Sequence, residues 1–141
     1  MKLRKFITIL FSGTSGIFFV CGFVLPFYGF TEDERILLLG YVAIILISIA
    51  FALNVRTGSR LVSITMISMG GYAVLFGYNL FRIWSVSLAA NANDPDYMTN
   101  FSGQDDFAVS IIITGSALLV LGFYSIIKRL TQTKIEKKSA I

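Results

Sequence analysis

The chain has 141 residues, enough for one domain, of which 55% are apolar and 14% charged. Soluble domains carry roughly 25% charged residues, and a chain this small could not solvate its surface with so few, so a soluble domain is excluded. The net charge of +4 comes from basic groups gathered at the chain ends and one short loop, a placement that speaks for sidedness in a membrane and against nucleic-acid binding.

Four charge-free runs divide the chain: Phe6 to Thr31, Ile36 to Val55, Leu61 to Phe81 and Phe107 to Ile127, of 26, 20, 21 and 21 residues. A helix crosses the hydrocarbon in about 20 residues. The expected fold is therefore an all-α membrane protein of a single domain, 1–141. It has four transmembrane helices in an antiparallel bundle, at approximately 6–29, 34–54, 61–84 and 105–128. Lys2, Arg4, Lys5, Arg56, Arg60, Lys128, Arg129, Lys134, Lys137 and Lys138 fall on one side, against Arg35 and Arg82 on the other. Positive charge marks the cytoplasmic side, which predicts both termini inside (N-in/C-in). A longer acidic outer loop, 85–104, separates helices 3 and 4, and a basic cytoplasmic tail covers 128–141. The expected location is a plasma or bacterial inner membrane.

Helix 1 follows "MKLRK", which resembles the start of a signal peptide. Its apolar run is too long for one, and no small-x-small cleavage site follows. One face carries Thr8, Ser12, Ser15, Gly16 and Gly22, including the small-xxx-small pair Ser12 and Gly16. Such pairs let helices approach closely in lipid. Pro26 should bend or finish the helix. The lone Cys21 permits no internal disulfide and reads as a small packing residue.

Helix 2 opens on "TEDE", a capping box with Thr31 as N-cap and Glu34 three residues on. It is the most apolar span and is expected to face lipid. Asn54 suits its end, and "RTGSR" makes a short turn into helix 3.

Helix 3 is the most differentiated. Positions three, four and seven apart share a helix face. Thr65, Ser68, Tyr72 and Asn79 form one polar stripe with Arg82 at its end; Ser63, Gly70, Ala73 and Gly77 form a small-residue stripe almost opposite. A helix with two such stripes is expected at the centre, touched on both sides. Trp84, with Tyr28 and Tyr97, fits an outer aromatic belt.

The outer loop places Asp94, Asp96, Tyr97, Phe101, Asp105 and Asp106 together, a mixture suited to protein recognition. Pro95 and Asp94 favour a turn there. Ser102 caps helix 4, with Asp105 and Asp106 at its positive end. Asn100 heads a glycosylation sequon. Helix 4 carries Ala108, Gly115 and Gly122 at sevenfold spacing on one face and Ser110, Thr114, Ala117 and Ser125 on another.

Catalysis has little to work with. The chain has no histidine, the commonest proton shuttle and metal ligand, and no Asp, Glu, Lys or Arg interrupts a charge-free run. Ion-coupled transport normally needs such a group. Small multidrug transporters have four helices and nearly this length, but they depend on a glutamate in helix 1. Here that region reads "TILFSGTSGIFFVCG", and the likeness stops at helix count.

No catalytic residue, cofactor or metal site is expected. The composition points to a non-enzymatic integral membrane protein working through helix–helix and loop contacts. It would be an accessory, scaffold or assembly subunit, its partners being lipids and either other membrane subunits or a second copy of itself. Two alternatives are an immunity-type protein meeting a pore-forming toxin in the bilayer, and a small transporter or channel using the polar stripe of helix 3.

Overall fold

The computed structural model describes residues 2–26, 34–93 and 104–141, leaving aside the side chains of Glu34, Gln104 and Asp105. Among the described residues there are four long helices and no strand. Helix α1 spans Lys2–Phe19 and runs on through a π-helical segment, Val20–Val24. After a 3-10 turn, Glu34–Ile36, α2 spans Leu37–Asn54. Helix α3 spans Arg60–Ala90 and α4 Gln104–Ser139. All four are long and apolar enough to cross a membrane.

The helix bounds differ from the expected ones, most at two ends. Helix α3 continues past Trp84 to Ala90, so the first residues assigned to the outer loop are helical. Helix α4 carries the basic tail as one unbroken helix to Ser139. At 1.5 Å per residue α3 is about 46 Å long and α4 about 54 Å, against roughly 30 Å of hydrocarbon. Good helix formers such as Leu, Ala, Lys and Gln continue each helix where the apolar run stops. The π segment ends with the Leu25 amide bonded to the Val20 carbonyl at 3.0 Å, directly before Pro26, which has no N–H to extend the ladder. Thr31, Ser102, Tyr28, Tyr97 and Asn100 lie outside the described residues.

Two helix pairs organise the fold, α1 with α2 and α3 with α4, the latter in the more extensive contact; contacts between the pairs are sparser. The buried positions of α1 are Thr8, Ser12, Ser15, Phe19 and Gly22, and those of α2 are Gly40, Ala43, Ile47, Ala50 and Asn54. Both series alternate steps of three and four, the period that keeps one seam facing a partner helix. Thr8 meets Asn54 at one end, and Gly22 abuts Gly40 at the other.

One buried cluster draws on all four helices: Phe19 from α1, Ala43, Ile47 and Ala50 from α2, Val62, Met66, Met69 and Ala73 from α3, and Leu118 from α4. Rings lock its edge. Phe19 lies edge-on to Phe23 at 5.4 Å and to Tyr72 at 5.8 Å, and Tyr72 stacks on Phe76 at 5.8 Å. Helix α2 thus buries one stripe against α1. Its opposite surface, with Leu38, Ile45 and Ile49, is exposed.

Candidate functional site

The α3–α4 seam is the most extensive helix contact among the described residues, and glycines bring its backbones together along its length. A Cβ added to Gly70 would lie 2.6 Å from the Gly115 carbonyl oxygen, and one on Gly115 would lie 2.8 Å from that of Gly70. A Cβ on Gly77 would meet the Ala108 oxygen at 3.0 Å, and one on Gly122 the Ser63 oxygen at 3.2 Å. Each step of seven up α3 is matched by a step of seven down α4. A seven-residue repeat keeps such a seam continuous along a gentle left-handed supercoil. With no Cβ between the backbones, dispersion contacts and Cα–H to carbonyl contacts can form along the seam.

Seam residues Ser63, Gly70, Ala73, Gly77, Gly115 and Gly122 are all buried and therefore spent within the chain. On α1, Ser12 is buried in the α1–α2 seam, whereas Gly16 is half-buried with nothing within 4 Å of an added Cβ. The small-xxx-small pair does not act as a unit, because the seam follows the heptad from Ser12 to Ser15 and not the step of four to Gly16. Ser12 Oγ is buried without a hydrogen-bond partner among the described residues.

The polar stripe of α3 divides. Tyr72 is half-buried in the ring cluster, and Thr65 Oγ1 donates to its own helix at the Leu61 carbonyl, 2.9 Å away. Ser68, Asn79 and Arg82 are exposed. Asn79 and Arg82 share a shallow pocket on the outer surface of α3 with Ile83, Val86 and Ser87. The stripe therefore does not line a path through the middle of the four helices. Of the outer-loop candidates, Asp94, Asp96, Tyr97 and Phe101 lie outside the described residues, and Asp105 is described by its helical backbone alone.

A polar network at the basic end joins α1, α2 and the turn into α3. Asn54 Nδ2 donates to Thr8 Oγ1 and to the Ala50 carbonyl, both at 2.8 Å. Thr8 Oγ1 donates to the Arg4 carbonyl at 2.8 Å, and the Arg4 guanidinium donates to Thr57 Oγ1 at 3.2 Å. The turn that follows is pinned to α4: the Ser59 amide donates to Ser125 Oγ at 3.3 Å. Gly58 there takes φ 72°, the left-handed region open to glycine. Asn54 reads as a helix-end residue in the sequence. The available signal is its match to Thr8, a second polar residue about one turn inside the same basic end.

These features define an all-helical protein with four helices able to span a membrane, and with its small-residue seams closed internally. No protein-family model, curated protein or solved structure matches the chain.

Proposed function

We propose that the chain is a non-enzymatic integral membrane protein, an antiparallel four-helix bundle with both termini in the cytoplasm, acting as an accessory, scaffold or assembly subunit. The basic residues support this orientation, since ten of the twelve fall at the amino end, the α2–α3 turn and the tail.

The observation that carries the reading is the exposed polar surface of α3. Asn79 stands about 27 Å along the helix from Leu61, still within roughly 30 Å of hydrocarbon. Its amide is exposed and bonds no other described residue. A polar side chain facing lipid loses hydrogen bonds that a neighbouring helix would supply, a difference of about 1–2 kcal/mol in model helices. Arg82 lies one turn further, at the edge where its guanidinium reaches the interface. With the glycine seams already used inside the chain, Ser68, Asn79 and Arg82 are the surface left for a partner helix. The acidic loop, with Asp94, Asp96, Tyr97, Phe101 and Asp105, supplies a second contact outside the membrane.

Purification of the tagged chain in mild detergent, followed by mass spectrometry, tests this. A fixed partner subunit is expected, lost on Asn79→Leu while the chain itself stays monodisperse. A lone monomer from both proteins would overturn the reading.

A further inference from the structure

We propose that the turn between α2 and α3, with an arginine of α1 on one side and an arginine of α4 on the other, binds the phosphate headgroup of an anionic phospholipid. All four charge-free runs stop against a basic residue at this end: Lys5 before Phe6, Arg56 after Val55, Arg60 before Leu61 and Lys128 after Ile127. At their other ends the runs stop against Glu32, Arg35, Arg82 and Asp106, which are mixed in sign. One boundary of the apolar segments is thus of a single charge.

The fold gathers part of that charge around one fixed point. The Arg4 guanidinium donates to Thr57 Oγ1 at 3.2 Å. On the far side of the same turn, a Cβ added to Gly58 would lie 2.9 Å from Arg129 Cβ, and the Ser59 amide is bonded to Ser125 Oγ on α4. Arg56 stands on the turn itself, and all three arginines are exposed. Arg4 uses one of its five N–H donors on Thr57. The side chains of Arg56 and Arg129 donate to no described residue, and no ion pair among the described residues engages any of the three.

Charge and depth together select the occupant. The one acidic side chain at this end is Glu136, about 14 Å along α4 from Ile127 and so beyond a Debye length of about 8–10 Å. The cluster therefore calls for an anion from outside the chain, and a guanidinium fork matches a phosphate bidentately. Arg56 and Lys128 directly follow the last apolar residues of their runs, and Lys128 Nζ lies over the Tyr124 ring at 5.8 Å. At the same level Leu53, Val55, Leu61 and Ile127 are exposed. A phospholipid meets both demands, its phosphate on the arginines and its acyl chains on these apolar side chains; a soluble anion or an acidic protein segment meets only the first. The site rests on the reading that the four helices span a membrane, and on nothing else in the proposal above.

The test is native mass spectrometry of the chain in mild detergent, titrated with phosphatidylglycerol or with phosphatidylcholine of the same acyl chains. Saturable binding of phosphatidylglycerol is expected, tighter than that of phosphatidylcholine by roughly tenfold or more. Each basic side chain near an anionic surface contributes roughly fivefold, so Arg4→Gln with Arg129→Gln should weaken binding by roughly 25-fold. Lys137→Gln with Lys138→Gln removes the same charge about 15–17 Å past Ile127 and should change it by less than about twofold. Should the first pair fail to fold, Arg56→Gln with Arg129→Gln, which breaks no side-chain hydrogen bond among the described residues, repeats the test with the same expected loss. Equal losses from the tail pair, equal affinity for the two lipids, or displacement of the lipid by inorganic phosphate at equal concentration would overturn the site. So would an acidic protein that copurifies with the chain and is lost in the arginine pair while lipid binding is unchanged. Incorporation of the unaltered chain into nanodiscs of phosphatidylcholine alone is a separate readout. A chain that fails to incorporate overturns the membrane reading; one that incorporates but shows no headgroup preference overturns only the site.

Discussion

Gly70 and Gly115 face each other so closely that the Cβ either one lacks would fall within 3 Å of the other's carbonyl oxygen, at 2.6 and 2.8 Å. A backbone atom cannot swing aside as a side-chain end can. Gly70→Ala and Gly115→Ala should each lower stability by about 1–3 kcal/mol, the usual range for overpacking, in unfolding by a denaturing detergent. Gly71→Ala is the control, because its added Cβ meets nothing within 4 Å. It should be neutral or gain up to about 1 kcal/mol from helix propensity. Equal losses at all three positions would move the seam elsewhere.

The Thr8–Asn54 hydrogen bond ties the free end of α1 to the end of α2. A double-mutant cycle with Thr8→Val and Asn54→Leu should return a coupling of about 0.6 kcal/mol, and no more than about 1.7, as such bonds do in membrane helices. Ser12→Ala, in the same seam, should leave stability unchanged or raise it. Its hydroxyl is buried without a hydrogen-bond partner among the described residues, and an unsatisfied buried polar group costs about 1–3 kcal/mol. A clear loss on Ser12→Ala would show that the hydroxyl is bonded after all.

Gly58 meets two demands at once. Its φ of 72° costs other residues about 1–2 kcal/mol, and an added Cβ would lie 2.5 Å from the Ser125 carbonyl oxygen. Gly58→Ala should therefore destabilise more than Ser125→Ala, which removes only the acceptor of the Ser59 amide, about 1 kcal/mol. Thermal aggregation in detergent would rank the two; the reverse order would mean that the turn is not held against α4.

The threading is testable by thiol labelling in a Cys21→Ala background. Ala90→Cys, at the end of α3, should react with a membrane-impermeant maleimide on intact cells. Ala140→Cys, beyond α4, should react only after lysis. Labelling of position 140 on intact cells would reverse the proposed orientation.

Much of the secondary structure was legible because in lipid one variable dominates. Charged side chains are excluded from hydrocarbon, so the gaps between them mark the helices. The seven-residue spacing of Ser63, Gly70 and Gly77, and of Ala108, Gly115 and Gly122, was legible for a related reason: only small residues admit a neighbouring backbone. Helix ends were less so, since α3 and α4 leave the apolar runs and continue through residues that water and helix propensity both accept.

Pairing was another matter. Periodicity places a residue on a face but does not say which other face it meets. Ser12 and Gly16 read equally well as a packing pair, yet the seam takes Ser12 and leaves Gly16 open. Phe19, too large to be counted in a small-residue stripe, occupies the same seam because the register set by Thr8–Asn54 and Gly22–Gly40 puts the small Ala43 of α2 opposite it.

The amino-acid sequence alone determined the helical class and four segments long and apolar enough to cross a membrane, because the cost of placing charge in hydrocarbon depends only on residue type. The tertiary structure alone decided that the glycine seams close within the chain and leave Ser68, Asn79 and Arg82 outside. That outcome depends on which surfaces fit together, a property of two helices at once and of neither by itself.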